Sequence, residues 1–179
     1  YADVEDKVNI FDGSWFASQK LDGCRTVAMI DDKNEVTLFS RQGIEFNTLD
    51  ELKKDIQNLH FEGYVLDGET CLVDENGKED FQSIMKEIRK KNHTIKNPKY
   101  FLFDMLTIEE FLSKESKRIF SERKALLNKV IIPYTGNKLE VLNQVKIEDQ
   151  THFDAMLEHI RDIGGEGLIL RKDTVYKGK

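Results

Sequence analysis

The stretch that most constrains the fold is YFLFDML at Tyr100 to Leu106, where nearly every residue is apolar. Such a run is typical of a strand buried inside a sheet. Shorter β-rich runs come earlier in the chain, at Trp15 to Lys20, Arg25 to Asp31 and Glu35 to Arg41. The polar turn DDKN joins the last two and predicts a hairpin.

Segments with helical spacing of apolar residues separate these strands. Helices are predicted at Thr48 to Leu59, Phe81 to Lys91, Ser121 to about Val130 and Thr151 to Ile163. Thr48 or Asn47 is the expected N-cap of the first helix. Further strands are predicted at Tyr64 to Leu66, Glu69 to Val73 and Leu139 to Ile147, and in the final EGLILRK. Because strands and helices mix without strict alternation, the predicted fold class is α+β, with mostly antiparallel sheets flanked by helices.

Composition excludes several classes of protein. At 179 residues, with 39% apolar and 34% charged residues, the chain is expected to form one globular unit and not a disordered segment. No apolar run is long enough to span a bilayer and no secretory leader is recognisable, which favours the cytosol. Cys24 and Cys71 have no metal-ligand spacing, so reduced thiols are expected. The net charge of −6 argues against a protein that coats nucleic acid, so any such contact needs a local basic strip or another domain.

The stretch KLDGCR carries a candidate nucleophile. In an extended segment Lys20 and Asp22 would face the same side, which places an amine and a carboxylate in one pocket. Gly23 allows a sharp turn or a close approach to a ligand, and Arg25 offers a planar fork suited to phosphate. Taken alone, however, this pattern is more often a surface turn with a salt bridge.

Four other constellations are weak separately. FSRQG presents Ser40 and Arg41 beside a glycine turn, and LDGE places Asp67 and Glu69 on one side of an extended chain. The remaining two are the aromatic Phe103 in the apolar run and the charges at the ends of the last strand, Glu166, Arg171 and Lys172. Taken alone, FSRQG is more often an exposed turn charge and Phe103 is more often plain core. The LDGE and EGLILRK patterns fit a structural and a functional interpretation equally well.

Their order along the chain is far more specific. From about Ser14 to Lys179, the sequence resembles the adenylation (nucleotidyltransferase) domain of ATP-dependent DNA ligases, in the superfamily that also holds RNA ligases and mRNA capping enzymes. KLDGCR resembles motif I, FSRQG motif Ia, LDGE motif III, FLFDML motif IIIa and EGLILRK motif IV. The resemblance implies an ATP-grasp-like nucleotidyltransferase fold of the DNA ligase type.

The resemblance also assigns roles to individual residues. It implies that Lys20 attacks the α-phosphate of ATP and holds AMP, which then passes to the 5′-phosphate of nicked duplex DNA before the 3′-hydroxyl seals the nick. DNA contacts are implied for Arg25 and Arg41, and a divalent ion, Mg²⁺ or Mn²⁺, for Glu69 and Glu166. The implied nucleotide-binding residues are Gln19, Lys20, Leu21, Arg25, Glu69, Phe103, Arg171 and Lys172.

The same resemblance sets expectations about the whole protein. Residues 1–179 would be one adenylation domain that ends before motif V and before an oligonucleotide-binding-fold (OB-fold) domain, so this chain alone should seal nicks poorly. A cytosolic monomer acting in DNA replication, repair and recombination is expected, without membrane contact. The alternatives are an RNA ligase or capping-type nucleotidyltransferase, and a non-catalytic module that binds nicks.

Overall fold

A computed structural model of the chain describes residues 8–178. From its polar, acidic and aperiodic sequence, Tyr1 to Asn9 is predicted to be a lead-in segment, and it falls outside the described residues except at positions 8 and 9. In chain order the elements are β1 (Trp15–Gln19), β2 (Cys24–Ile30), β3 (Val36–Phe39), α1 (Asp50–Gln57), β4 (Tyr64–Cys71), α2 (Phe81–Glu87), β5 (Lys99–Thr107), α3 (Ile108–Ser113), β6 (Glu115–Ile119), α4 (Phe120–Ile131), β7 (Leu139–Val141), β8 (Gln144–Lys146), α5 (Gln150–Asp162), β9 (Leu168–Lys172) and β10 (Val175–Lys177).

The chain divides into two compact units. The smaller unit consists of the described part of Tyr1–Leu21 together with Asn143–Thr174, and the larger unit consists of Asp22–Leu142 with the described end of the chain from Val175. The boundary after Leu21 falls inside the KLDGCR stretch. Residues that the sequence groups in one motif therefore belong to different units.

The larger unit is built on a five-stranded sheet in the order β3-β2-β4-β5-β7. All of its pairs are antiparallel except β5 with β7. The predicted hairpin is present, with Val27 opposite Phe39 and Ile30 opposite Val36. The apolar run forms β5 between two neighbouring strands, where Tyr100, Leu102 and Met105 are fully buried, so the prediction of an interior strand is confirmed.

Helices α1, α2 and α4 supply apolar side chains to the core of this unit, among them Leu52, Ile84 and Leu127. The predicted N-cap of α1 is wrong. Leu49 occupies that position, and the buried Thr48 hydroxyl instead donates to the carbonyl oxygen of Ile88 at 2.7 Å. Since that carbonyl lies 40 residues away in the sequence, the local pattern could not show that the Thr48 hydroxyl bonds Ile88 instead of capping α1.

The smaller unit contains a three-stranded antiparallel sheet in the order β8-β1-β9. Its core consists of Ile10, Ala17, Ile147 and Phe153, with apolar side chains of α5 and β9 packed around them. Strand β1 is central, and it is paired up to Ser18 with β8 and up to Gln19 with β9. The segment that precedes Lys20 is thereby fixed in place.

Several predicted boundaries are wrong. The predicted strand Leu139 to Ile147 is two strands in different sheets, because the chain passes from one unit to the other after Leu142. Helix α2 ends at Glu87 instead of Lys91. Strands β6 and β10, which pair with each other, and helix α3 were not anticipated.

The predicted fold class and thiol state are confirmed. The chain is α+β with mainly antiparallel sheets, and both Cys24 and Cys71 are free thiols. Among the described residues, no helix is long and apolar enough to cross a membrane.

Candidate active site

Lys20 lies directly after β1, where the strand ladder has ended at Gln19 opposite Leu168. Its backbone N–H donates to the carbonyl oxygen of Gly167 at 2.9 Å. Its Nζ lies 3.3 Å from Oε2 of Glu166, and these side chains are 41% and 50% exposed, respectively. Lys20 and Asp22 both lie outside the strands, and the structure pairs the lysine with another predicted site residue, Glu166.

Other predicted residues of the smaller unit are distributed along β1 and β9. Gln19 and Leu21 flank the lysine in sequence. Arg171 is opposite Phe16 and Lys172 is opposite Trp15. At ~3.3 Å per residue, four residues separate the backbone at Arg171 from that at Lys20 by about 13 Å along the strand. The register therefore does not bring the backbones of Arg171 and Lys172 close to the amine.

Arg25, in β2 of the larger unit, is held by a carboxylate and an aromatic ring. Its Nε and Nη2 donate to Oδ1 and Oδ2 of Asp67 at 2.6 and 2.5 Å. Its guanidinium carbon lies 4.7 Å from the centroid of the Phe103 ring. The Arg25 side chain is 42% exposed and that of Asp67 is 13% exposed. The more buried carboxylate therefore orients the guanidinium, which remains accessible to solvent.

An irregular register explains how Phe103 reaches this group. Along β4 and β5, Asp67 is opposite Asp104 and Gly68 is opposite Leu102, so Phe103 is the extra residue of a β-bulge at this shift of register. It remains half-buried whereas Leu102 and Asp104 are buried. The irregularity places an aromatic ring beside Arg25 while Asp104 enters the interior.

The buried Asp104 has a partner that sequence reasoning missed. Arg123 of α4 donates from Nε to Oδ1 of Asp104 at 2.9 Å, with both side chains only 2% exposed. A charged residue within an amphipathic helix normally lies on its solvent face, so no local signal distinguished Arg123. This ion pair connects the strand of Phe103 to a helix.

Glu69 lies opposite Arg25 in the sheet and is partly enclosed. Burial raises the pKa of its carboxyl to about 7; Arg25 opposes the increase, and Asp67 and Asp22 add to it. Near neutral pH this group therefore exchanges a proton readily, and a cation or a hydrogen-bond donor placed beside it would favour the carboxylate.

Two glycines make this arrangement possible through close packing. A Cβ at Gly23 would lie 2.5 Å from the carbonyl oxygen of Thr70 and 2.6 Å from Sγ of Cys71. A Cβ at Gly68 would lie 2.3 Å from the carbonyl oxygen of Phe101. Gly23 therefore allows the chain entering β2 to approach β4 closely. The predicted role of Gly23 is a turn or a close approach to a ligand, and this close contact within the protein already requires a glycine.

Arg41 lies apart from these groups. It is exposed in the tight turn after β3, where Gly43 has φ +85° and its N–H donates to the carbonyl oxygen of Ser40 at 2.9 Å. Ser40 itself is buried, and its Oγ accepts from the N–H of Ile44 at 3.2 Å. Ser40 thus stabilises the turn, and Arg41 is the residue that the turn presents to solvent.

The predicted metal ligands fit a cation that is bound mainly by substrate. Within residues 8–178, no three or more His, Cys, Asp or Glu side chains converge as a metal cage. Glu166 is a half-exposed carboxylate and Glu69 a partly enclosed one. Mg²⁺ commonly uses one or two carboxylates together with substrate phosphates and water, and each of these residues, taken within its own unit, is of the type that supplies one such ligand.

Comparison with known proteins gives these groups a common context. The family model for the ATP dependent DNA ligase domain matches residues 1–178. The chain belongs to this family. It is 31% identical to the multifunctional non-homologous end joining protein LigD of Pseudomonas aeruginosa and 26% identical to a DNA ligase of Methanococcus aeolicus, over 93% and 88% of its own length. It spans 19% and 29%, respectively, of those two proteins.

Solved structures support the same conclusion about the fold. The ligase domain superposes on the structure named "Pmar-Lig_Pre." with a TM-score of 0.86 and 25% identity, over 99% of this chain and 42% of that one. The predicted resemblance and the nucleotidyltransferase fold of the DNA ligase type are thus confirmed. The DNA ligase family is also favoured over the RNA ligase and capping alternatives.

Proposed function

We propose that this ligase domain transfers AMP from ATP to Lys20. The amine, as its free base, attacks the α-phosphorus; a P–N bond forms, the bond to the bridging oxygen breaks, and pyrophosphate leaves. The observation that supports this role is the accessible amine of Lys20 at the end of a fixed strand, 3.3 Å from Glu166. A nucleophile on an ordered element loses little orientational freedom before it reacts.

The other residues are proposed to bind and orient the nucleotide. Phe103 would stack on the adenine, Glu69 would accept a hydrogen bond from the ribose or bind the metal, and Arg25 would contact the nucleotide or the DNA 5′-phosphate. Gln19 and Leu21 would border the nucleotide, and Arg171 or Lys172 would neutralise phosphate charge. A divalent ion held by Glu166, with Glu69, would supply further neutralisation of the triphosphate.

The later steps are proposed for the whole protein. The chain spans less than a third of the length of either relative. AMP would pass to the 5′-phosphate at a nick in duplex DNA, with Arg41 on the DNA backbone, and the 3′-hydroxyl would then displace it. The proposal includes an adenylation domain over residues 1–179, a following OB-fold domain, a monomeric state and a cytosolic location. DNA replication, repair and recombination are the processes that this reaction would serve.

The test is covalent labelling of the chain by ATP. We expect intact mass spectrometry after incubation with ATP and Mg²⁺ to show one AMP, and peptide mapping to locate it on Lys20. Lys20→Ala and Lys20→Arg should lose the adduct, a fall in yield of at least 10³-fold, with thermal unfolding unchanged. The matched control is Lys146→Ala, which removes an exposed lysine from the neighbouring strand β8. An adduct retained in both Lys20 variants would disprove the assignment.

The non-catalytic alternative predicts a different result. A module that only binds nicks would show no adduct in this chain or in a version extended through the following domain. An adduct in the extended version alone would indicate that adenylation requires residues beyond this chain. Sealing assays of the extended protein on nicked DNA and nicked RNA would then separate a DNA ligase from an RNA ligase.

A further inference from the structure

A strongly basic segment from Lys86 to Lys99 lies outside the ligase motifs of the acidic chain. It contains six of the 27 lysine and arginine residues but one of the 33 acidic residues, Glu87. The basic side chains are Lys86, Arg89, Lys90, Lys91, Lys96 and Lys99. All are exposed except Lys99, which is half-buried. In a chain with net charge −6, this is a local concentration of positive charge.

The segment has an ordered backbone although most of it lies outside helices and strands. Ile88 and Ile95 are buried in the core of the larger unit. Thr48 holds both of them, through its hydroxyl to the carbonyl oxygen of Ile88 at 2.7 Å and through its carbonyl oxygen to the N–H of Ile95 at 2.8 Å. Asn92 and Asn97 adopt left-handed conformations, with φ of 50° and 52°.

The acidic groups of α1 that border the segment bind it in the structure. Asp50 accepts from the hydroxyl of Thr94 at 2.9 Å, and Glu51 accepts from the backbone N–H of Asn97 at 3.1 Å. Within the segment, Glu87 lies 3.9 Å from His93. These carboxylates contact a hydroxyl, a backbone amide and a histidine. Lys90, Lys91 and Lys96 are exposed in the same loop.

The segment also approaches the strand that carries Arg25. Ile84 and Ile88 share a core with Cys24, the residue that precedes Arg25 in β2. Burial raises the pKa of the Cys24 thiol, Glu69 adds to the increase, and the positive charge of Arg89 opposes it. The positive charge of Arg89 therefore acts on Cys24, which is next to Arg25, the residue proposed to contact the nucleotide or the DNA 5′-phosphate.

We propose that the basic segment, Lys86 to Lys99, is a contact surface for the phosphate backbone of duplex DNA. This inference rests on the DNA substrate of the proposed function. Duplex DNA carries one negative charge per about 1.7 Å of its axis, so a row of lysines on an ordered loop can meet several phosphates at once. The contact reads no base sequence, which suits a substrate defined by a break in the backbone.

Two triple variants of equal charge test the proposal. Lys90, Lys91 and Lys96 are changed to Gln in one, and Lys33, Lys78 and Lys129 in the other, which are exposed lysines of the same unit outside the segment. Binding of a fluorescent nicked duplex is followed by anisotropy at several salt concentrations. In ~0.1 M salt the segment variant should bind at least about tenfold more weakly, and the slope of log K against log salt should fall by about 1 to 3.

The outcomes separate the possible failures. Equal affinity of the two triple variants for the nicked duplex, or no binding by the unchanged chain, would overturn the proposal. It would also be overturned if the segment variant lost affinity for duplex RNA but bound duplex DNA as tightly as the unchanged chain. Replacement of the same three lysines by Arg keeps the charge and must keep the affinity, which excludes misfolding as the cause of a loss. Because AMP labelling of the unchanged chain is measured separately, a chain that binds DNA through the segment but never gains AMP would refute the proposed function alone.

Discussion

The two units of the chain hold their predicted site residues in different ways. In the larger unit, Arg25 makes two short hydrogen bonds to Asp67 and packs on Phe103. In the smaller unit, Nζ of Lys20 lies 3.3 Å from Oε2 of Glu166, and both side chains are about half exposed. An exposed ion pair contributes about 0 to 1 kcal/mol to stability. The proposed binding residue Arg25 is thus oriented by two short hydrogen bonds, whereas the ion pair of the proposed nucleophile is exposed to solvent.

A third ion pair provides the reference for this comparison. Arg123 and Asp104 are both 2% exposed, and Arg123 also donates from Nη1 to the carbonyl oxygen of Arg118 at 2.5 Å. Removing one partner of such a pair leaves an isolated charge in the interior. The three pairs therefore form a series from exposed to fully buried, and their disruption should cost increasing free energy in that order.

The largest effect on stability is expected from Arg123→Met. Loss of the guanidinium leaves Asp104 buried without its partner and should lower the free energy of unfolding by about 3 to 5 kcal/mol. Urea denaturation followed by circular dichroism measures the change. The control is Arg161→Met, an exposed arginine in α5, for which a change of about 0.5 kcal/mol or less is expected. Equal effects of the two substitutions would contradict the importance of burial.

An intermediate effect is expected from Glu69→Gln, and it should depend on pH. The pKa of Glu69 is raised from 4.5 to about 7 in the folded protein, so the folded state binds more protons than the unfolded state between these values. Its contribution to stability is complete below about pH 4.5 and is lost as the pH rises through about 7, on the order of 1 to 3 kcal/mol.

Measured from pH 4.5 to pH 8, the free energy of unfolding of Glu69→Gln should therefore rise relative to that of the unchanged chain. The pH profile of the difference between the two proteins isolates this carboxyl from the others that titrate in the same range. A difference that stays constant across the range would show that the Glu69 carboxyl has an ordinary pKa in the folded protein.

The smallest effect on stability is expected from Glu166→Gln. Since the pair with Lys20 is exposed on both sides, its loss should change the free energy of unfolding by about 0.5 kcal/mol or less. AMP labelling by ATP and Mg²⁺ should nevertheless fall at least about tenfold if Glu166 has the proposed role. A loss of stability near that of Arg123→Met would remove the distinction between a loosely held nucleophile and firmly held binding groups.

The sequence predicted the family and several strands better than the contacts around the candidate site residues. The order of five short motifs identified the family, and apolar runs located β1, β5 and the β2–β3 hairpin. By contrast, Thr48 and Arg123 have partners 40 and 19 residues away, which no local pattern reveals. Strands β6 and β10 were missed because they carry many charges and stabilise each other across more than 50 residues. Pairings of this kind depend on tertiary structure, which overrides local preference.

The order of strands in the smaller unit has a consequence for how the chain folds. Strand β1 leaves the ribosome before its partners, which begin at Gln144 and Leu168, after the whole of residues 22–142. Contacts between residues this far apart form slowly because a long loop must first be closed. The backbone hydrogen bond from Lys20 to the carbonyl oxygen of Gly167 can form only after residues 22–166 have been synthesised. A nascent chain that has not reached β9 would therefore carry Lys20 without the strand that pairs with β1.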